Sequence, residues 1–167
     1  MTSAASIDVS LTCQRLYLRG KGLERDYPVS TSRYGPGELD GSQCTPRGLH
    51  RIRARIGTDQ PRNAVFVGRR PTGEVYSREL AGRFPGRDWI LTRILWLCGE
   101  EPGRNRLGRV DSMRRYIYIH GTPDTEPMGM PFSHGCIHMR NDDVLELFEL
   151  TAAGTRVQVH SGTAVMP

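Results

Sequence analysis

Short runs of alternating apolar and polar residues, cut off by glycine and proline, constrain this chain more than any other feature. Arg51, Arg53 and Arg55 alternate with Ile52, Ala54 and Ile56, the pattern of a half-buried strand with its polar face in water. The run from Arg115 to His120 alternates as well, with Ile117 and Ile119 on one side and Tyr116, Tyr118 and His120 on the other. The same reasoning predicts strands over 14–19, 27–31, 48–56, 63–68, 90–98, 116–120 and 155–160. Turns such as Tyr34-Gly35-Pro36-Gly37 and Arg69-Arg70-Pro71-Thr72-Gly73 separate them. Residues 89–98 also fit helical spacing, at Ile90, Leu91, Ile94, Leu95 and Cys98. Only 142–150 predicts a clear short helix, where Val144, Leu147 and Phe148 share a face and Asn141 reads as an N-cap ahead of Asp142 and Asp143. Many short strands with one helix predict a mainly β sandwich or barrel. A length of 167 residues suits one domain, 1–167, with its core at about 14–160.

The net charge of +5 comes almost entirely from arginine, Lys21 being the only lysine. The arginines are spread along the chain, so a solvated sheet face explains them better than a nucleic-acid stripe. The four cysteines have no regular spacing; Cys13, Cys44 and Cys98 read as small buried hydrophobes, and a Cys13 to Cys44 bridge stays open. No apolar run approaches a membrane span, so no membrane partner is expected. Between Thr2 and Arg19 the polar residues Ser6, Asp8, Ser10, Thr12, Gln14 and Arg15 break any secretory signal. A cytoplasmic protein is therefore expected, or a periplasmic one if the true start lies upstream.

The segment from His120 to Cys136 carries chemistry. It holds a thiol in Ser133-His134-Gly135-Cys136 and a histidine ending a predicted strand, joined by an irregular loop with prolines at 123, 127 and 131. A thiol with a pKa of roughly 8.5 is a poor nucleophile until a paired imidazole takes its proton. His120 is the candidate imidazole and Cys136 the candidate nucleophile. Gly135 lets backbone N–H groups approach a substrate carbonyl, so the N–H groups of Gly135 and Cys136, with that of His134, are candidate oxyanion donors. His134, Cys136 and His138 can also be read with His120 as a metal cluster, but the spacing lacks the paired geometry of common zinc sites. No metal or other cofactor is expected. His50 and His160 are isolated and read as packing or surface residues.

His120-Gly121, thirteen residues to Ser133-His134-Gly135-Cys136, and then Ile137-His138-Met139-Arg140-Asn141-Asp142-Asp143, resembles the signature of the YkuD-type L,D-transpeptidase family. Tyr27 to Ser32, Cys44-Thr45-Pro46-Arg47-Gly48, Ala64 to Gly68 and Pro71 to Val75 are similar to other parts of that domain, and the likeness runs from about Gln14 to Val159. The resemblance implies a curved mixed-sheet domain with one short helix after the cysteine. It implies Cys136 as nucleophile, His120 as proton acceptor and donor, and Ser133, His134 and Gly135 as the residues shaping the active-site turn. His138, Gly121 and Tyr118 become candidate substrate contacts. His138 departs from the arginine common in the family, exchanging a permanent fork of donors for a smaller titratable one.

The chemistry implied is attack on the L,D peptide bond of a murein stem tetrapeptide, between its third residue, often diaminopimelate, and terminal D-alanine. Water as acceptor makes an L,D-carboxypeptidase, and the amine of another stem makes a 3-3 cross-link. The expected cytoplasmic setting favours water, as in the short carboxypeptidases of murein recycling, with a soluble muropeptide as the partner. The sequence does not decide the oligomeric state or the roles of His134 and His138.

Overall fold

The computed structural model describes residues 4–20 and 22–163. Residues 1–3, Lys21 and 164–167, which include the outer ends of the expected domain, lie outside them. The elements are β1 Ser6–Ser10, β2 Arg15–Gly20, β3 Leu23–Pro28, β4 Gly48–Ile56, β5 Ala64–Val67, β6 Arg70–Val75, α1 Arg78–Arg83, β7 Ile90–Gly99, a 3-10 turn Gly108–Val110, β8 Tyr118–Gly121, β9 Ile137–Met139, α2 Asn141–Leu150 and β10 Arg156–His160.

The expected mainly β class holds, as a curled mixed sheet with one substantial helix. Hydrogen-bonded neighbours run β3-β2-β1-β10-β4-β7-β5-β6, with β8 on β7 and β9 on β8. Among the described strands, β1 with β10 and β8 with β9 pair in parallel and the other pairs are antiparallel.

The ambiguous segment is the long strand β7, and its pairing explains why it is not a helix. Leu91 pairs with both Val65 and Gly121, and Trp96 with both Ala54 and Tyr118, so both edges of β7 are satisfied by neighbours. Between those pairs Thr92 takes a φ of 74°, and β5 gives way to β4 along one edge. Its apolar residues divide between two layers. Leu95 and Leu97 join the main core, whereas Ile94 joins a smaller cluster with Ala64, Phe66 and Tyr118.

The main core lies between the sheet and α2. Val144, Leu147 and Phe148 of α2 are buried against Ile119, Ile137, Met139 and Leu95. Each such side chain contributes roughly 1.5–3 kcal/mol, an upper bound for a realistic unfolded chain. Strands β8 and β9 thereby acquire parity: Ile119, Ile137 and Met139 face α2, while Tyr118, with Cys136 against it, belongs to the other face.

Three expectations change. A bulge between Ile52 and Ala54 interrupts the alternation of β4, so Arg55 does not simply face water; it stacks on the Phe148 ring at 4.0 Å and donates to the Phe148 carbonyl. Asn141 is the first residue of α2 rather than its cap, and Arg140 holds the cap position without a side-chain bond. Cys13 and Cys44, expected to be buried, are only half-buried; both are free thiols, and the bridge left open is not formed.

Candidate active site

Pairing of β8 with β9 places His120 directly opposite His138. Cys136, two residues before His138 on the same face, meets Tyr118: its sulfur accepts the Tyr118 N–H at 3.3 Å and its S–H donates to the Tyr116 carbonyl, also at 3.3 Å. Among the described residues these are the thiol's hydrogen bonds, and none reaches His120. Tyr116 presents its carbonyl through a left-handed backbone, φ 57°, which ends the predicted alternation and starts β8 two residues late.

His120 is buried, and its Nδ1 lies 2.7 Å from the Gly121 carbonyl. A carbonyl only accepts, so Nδ1 carries the proton and Nε2 is left as the acceptor. Burial, and then the neighbouring His138, push the His120 pKa down to about 4. Burial pushes the Cys136 thiol up to about 12, although the Tyr118 N–H and the Arg115 charge pull the other way. Both shifts favour the neutral forms, thiol and imidazole, at rest.

Ser133 and Thr45 build the turn under the sulfur. Ser133 Oγ donates to the Cys136 carbonyl at 2.6 Å and accepts the Gly135 N–H at 3.2 Å. That second bond corrects an expectation: the Gly135 N–H is held inside the turn and does not face a substrate. The Cys136 N–H, with no hydrogen-bond partner among the described residues, remains the candidate oxyanion donor of that pair. Thr45 Oγ1 donates to the Gly135 carbonyl at 2.9 Å and accepts the Ser32 N–H at 3.0 Å. Gly135 has a φ of 131°, which disfavours any side chain there.

His138 is buried, its Nδ1 2.7 Å from Glu126 Oε2 and its ring 4.5 Å from that of His120. Burial, the largest single influence, raises the Glu126 carboxyl, but the hydrogen bond from His138 and the other polar and charged neighbours together outweigh it and hold the pKa below its ordinary value. Gly121 is buried; a Cβ there would lie 2.6 Å from both Asn141 Oδ1 and the Leu91 carbonyl, so its place is structural and its carbonyl fixes His120. The Tyr118 hydroxyl accepts from Arg69 at 3.1 Å. His134 is exposed, 6.2 Å from the Tyr34 ring. His50 and His160 lie elsewhere, bonded to Ser112 and Asp8.

Glu126, Thr45 and Arg69 were not recognised as site residues from sequence. Thr45 lay in a segment that resembled the family, but no local pattern marks Glu126 or Arg69. The polar loop 99–109 is tied to the start of β4, with Asn105 Nδ2 donating to the carbonyls of Arg47 and Leu49. Among the described residues no cluster of three His, Cys, Asp or Glu is placed to hold a metal ion.

A thiol and an unpaired backbone N–H stand at the head of β9, and the neighbouring strand β8 carries an imidazole with one free nitrogen, the residue types a candidate nucleophilic site needs. The family profile of the YkuD L,D-transpeptidase catalytic domain matches residues 4–159, and the chain belongs to that family. The Probable L,D-transpeptidase YcfS of Escherichia coli is 25% identical over 143 residues, 86% of this chain and 39% of the relative. The Probable L,D-transpeptidase YbiS of the same species is 48% identical over 44 residues, 26% of this chain and 14% of the relative. The chain thus spans well under half the length of these relatives. Among solved structures, an L,D-transpeptidase from Xylanimonas cellulosilytica superposes with a TM-score of 0.58 at 17% identity, covering 96% of this chain and 62% of that one. L,D-transpeptidase 3 from Mycobacterium tuberculosis, in complex with a faropenem-derived adduct, also gives 0.58 at 17% identity, over 94% and 60%. These likenesses establish the fold.

Proposed function

We propose that Cys136 is an acyl-transfer nucleophile on peptidoglycan stem tetrapeptides, cleaving the L,D bond between the third residue and terminal D-alanine. The observation carrying this reading is the locked tautomer of His120, whose Nδ1–H is spent on the Gly121 carbonyl so that Nε2 can only accept, on the sheet face that also carries Cys136. Rotation about the Cys136 Cα–Cβ bond redirects the S–H from Tyr116 toward His120. His120 takes the thiol proton as sulfur attacks the scissile carbonyl, and the Cys136 N–H stabilises the tetrahedral oxyanion. The C–N bond then breaks, His120 protonates the departing D-alanine amine, and a thioester remains on Cys136.

Water is the acceptor we assign, with the cytoplasm as compartment; the two stand together, because polymeric murein lies outside the inner membrane. His120 deprotonates the water, the tripeptide leaves as a carboxylate, and the thiol is restored. A second reading, an amine acceptor giving 3-3 cross-links, is favoured by the name L,D-transpeptidase carried by the relatives. Purified protein given disaccharide tetrapeptide is expected to release D-alanine and tripeptide, and Cys136→Ala to release neither. Accumulation of 3-3 dimers selects the amine acceptor, and unaltered turnover by Cys136→Ala removes the thiol mechanism. Intact mass after carbapenem treatment is expected to show one covalent adduct, on Cys136.

A further inference from the structure

Arg69 sits at the tip of the β5–β6 hairpin with a φ of 65°, its guanidinium carbon 4.8 Å from the ring centres of both Trp96 and Tyr116. It is half-buried, and among the described residues it has no carboxylate partner, although many other arginines here do: Arg15, Arg47, Arg62 and Arg87 each form an ion pair. Its guanidinium donates to the Tyr118 hydroxyl at 3.1 Å and interacts with the Tyr116 side chain as well. Tyr118 also donates its backbone N–H to the Cys136 sulfur. One residue therefore links nucleophile to guanidinium: a tyrosine of roughly 6–7 Å with a hydrogen bond of 3.3 Å at one end and of 3.1 Å at the other, so that sulfur and guanidinium stand at most about 13 Å apart. A cation resting on aromatic faces is already weakly hydrated and fixed in orientation, so it loses little on meeting an anion, and its remaining N–H groups form a fork matched to carboxylate.

We propose that Arg69 is a carboxylate-binding site for the acyl donor, taking the free side-chain carboxylate of a diamino-dicarboxylic third residue. The inference rests on the acyl-transfer reading of Cys136. Reach favours this carboxylate, since the distal carboxylate of such a side chain stands roughly 6 Å or more from the scissile carbonyl. The terminal D-alanine carboxylate is only three bonds away.

The test compares steady-state kinetics of the full chain and of Arg69→Met on three tetrapeptides. One carries a free side-chain carboxylate at position three, one has that carboxylate amidated, and one has the terminal D-alanine amidated. Arg69→Met is expected to raise KM for the first at least about tenfold, with kcat within about threefold, from loss of a charge-assisted hydrogen bond. Side-chain amidation should do the same to the wild-type protein and add nothing in the variant. Arg69→Lys, keeping charge without the fork, should fall between them.

If the penalty vanishes only when the terminal carboxylate is amidated, carboxylate recognition stands with that group as its source. Equal KM for wild type and Arg69→Met on all three overturns the inference while leaving the thioester reading intact. Equal wild-type KM for free and amidated substrates overturns it without recourse to any variant, should Arg69→Met fold poorly. No turnover of any tetrapeptide by the wild-type protein removes both the reading and the inference.

Discussion

At the Cys136 sulfur, chemistry is decided by neighbours that hold the site at rest in its neutral form. With the thiol pushed up to about 12, thiolate is scarce at neutral pH, and in the proposed mechanism reactivity comes from proton transfer to His120 when substrate displaces the Tyr116 contact. Alkylation of free enzyme by iodoacetamide at pH 7, followed by mass, is therefore expected to be at least about tenfold slower at Cys136 than for free glutathione. Faster modification would show a pre-formed thiolate–imidazolium pair. Glu126 acts one step back, through His138. Glu126→Gln replaces a charged acceptor by a neutral one, and kcat for the tetrapeptide is expected to fall about tenfold. The carbapenem adduct on Cys136 should still form. Cys136 and His120 were legible in the sequence because a compact motif carries them. Glu126 and Arg69 were not, because a proline-rich loop and a hairpin tip bring them in from elsewhere, and neither position has a local pattern to announce it.

Among the elements, the closest coupling between fold and site runs through Asn141. Its Nδ2 donates to the Thr122 carbonyl at 2.9 Å and to Asp124 Oδ1 at 3.0 Å, and its Oδ1 accepts from Thr92 Oγ1 at 2.5 Å. The start of α2 is thus fastened both to the loop leaving His120 and to the point where β7 changes partners. Asn141→Ala leaves those buried groups unpaired, and urea unfolding should show a loss of about 2–4 kcal/mol. A change below about 0.5 kcal/mol would mean that the three bonds are replaceable by water. Gly121→Ala, whose added methyl meets Asn141 and the Leu91 carbonyl, should damage the same junction. Strands whose sequence alternates, β4 and β8, were readable apart from the β4 bulge and the late start of β8, as were several of the turns. Strand β1 was not, since Ser6, Asp8 and Ser10 fill its alternate positions and read as polar chain. Strand β6 was read as a turn through Pro71 and Gly73, and β9 is three residues long and stands only because β8 lies beside it in parallel. Pairing partners far away in the chain supply what local pattern lacks.

For the molecule as a whole, two buried imidazoles link stability to acidity. Burial pushes the His50 pKa down to about 4 from an ordinary 6.5, and His120 shifts in the same direction for the same reason. The unfolded chain therefore binds protons below pH 6.5 that the folded protein refuses until about pH 4. Stability is complete above about pH 6.5 and declines as pH falls toward 4, by about 2 kcal/mol from His50 alone at pH 5. Urea midpoints at pH 7 and pH 5 measure this, and His50→Gln should flatten the difference, its side chain keeping a donor and an acceptor for Gly48 and Ser112. A midpoint unchanged between those two pH values would show that both imidazoles are already protonated in the folded state.

The parity of β8 and β9 places a limit on how this family member can change. Odd positions there dissolve into the oil beneath α2, even positions form the face of the candidate site, and both strands keep the same count. Loss or gain of a single residue between Tyr118 and Met139 within either strand would send histidines inward and isoleucines outward at one stroke. Length variation near the nucleophile should accordingly accumulate in the loop after Gly121, where the chain is not counted in twos.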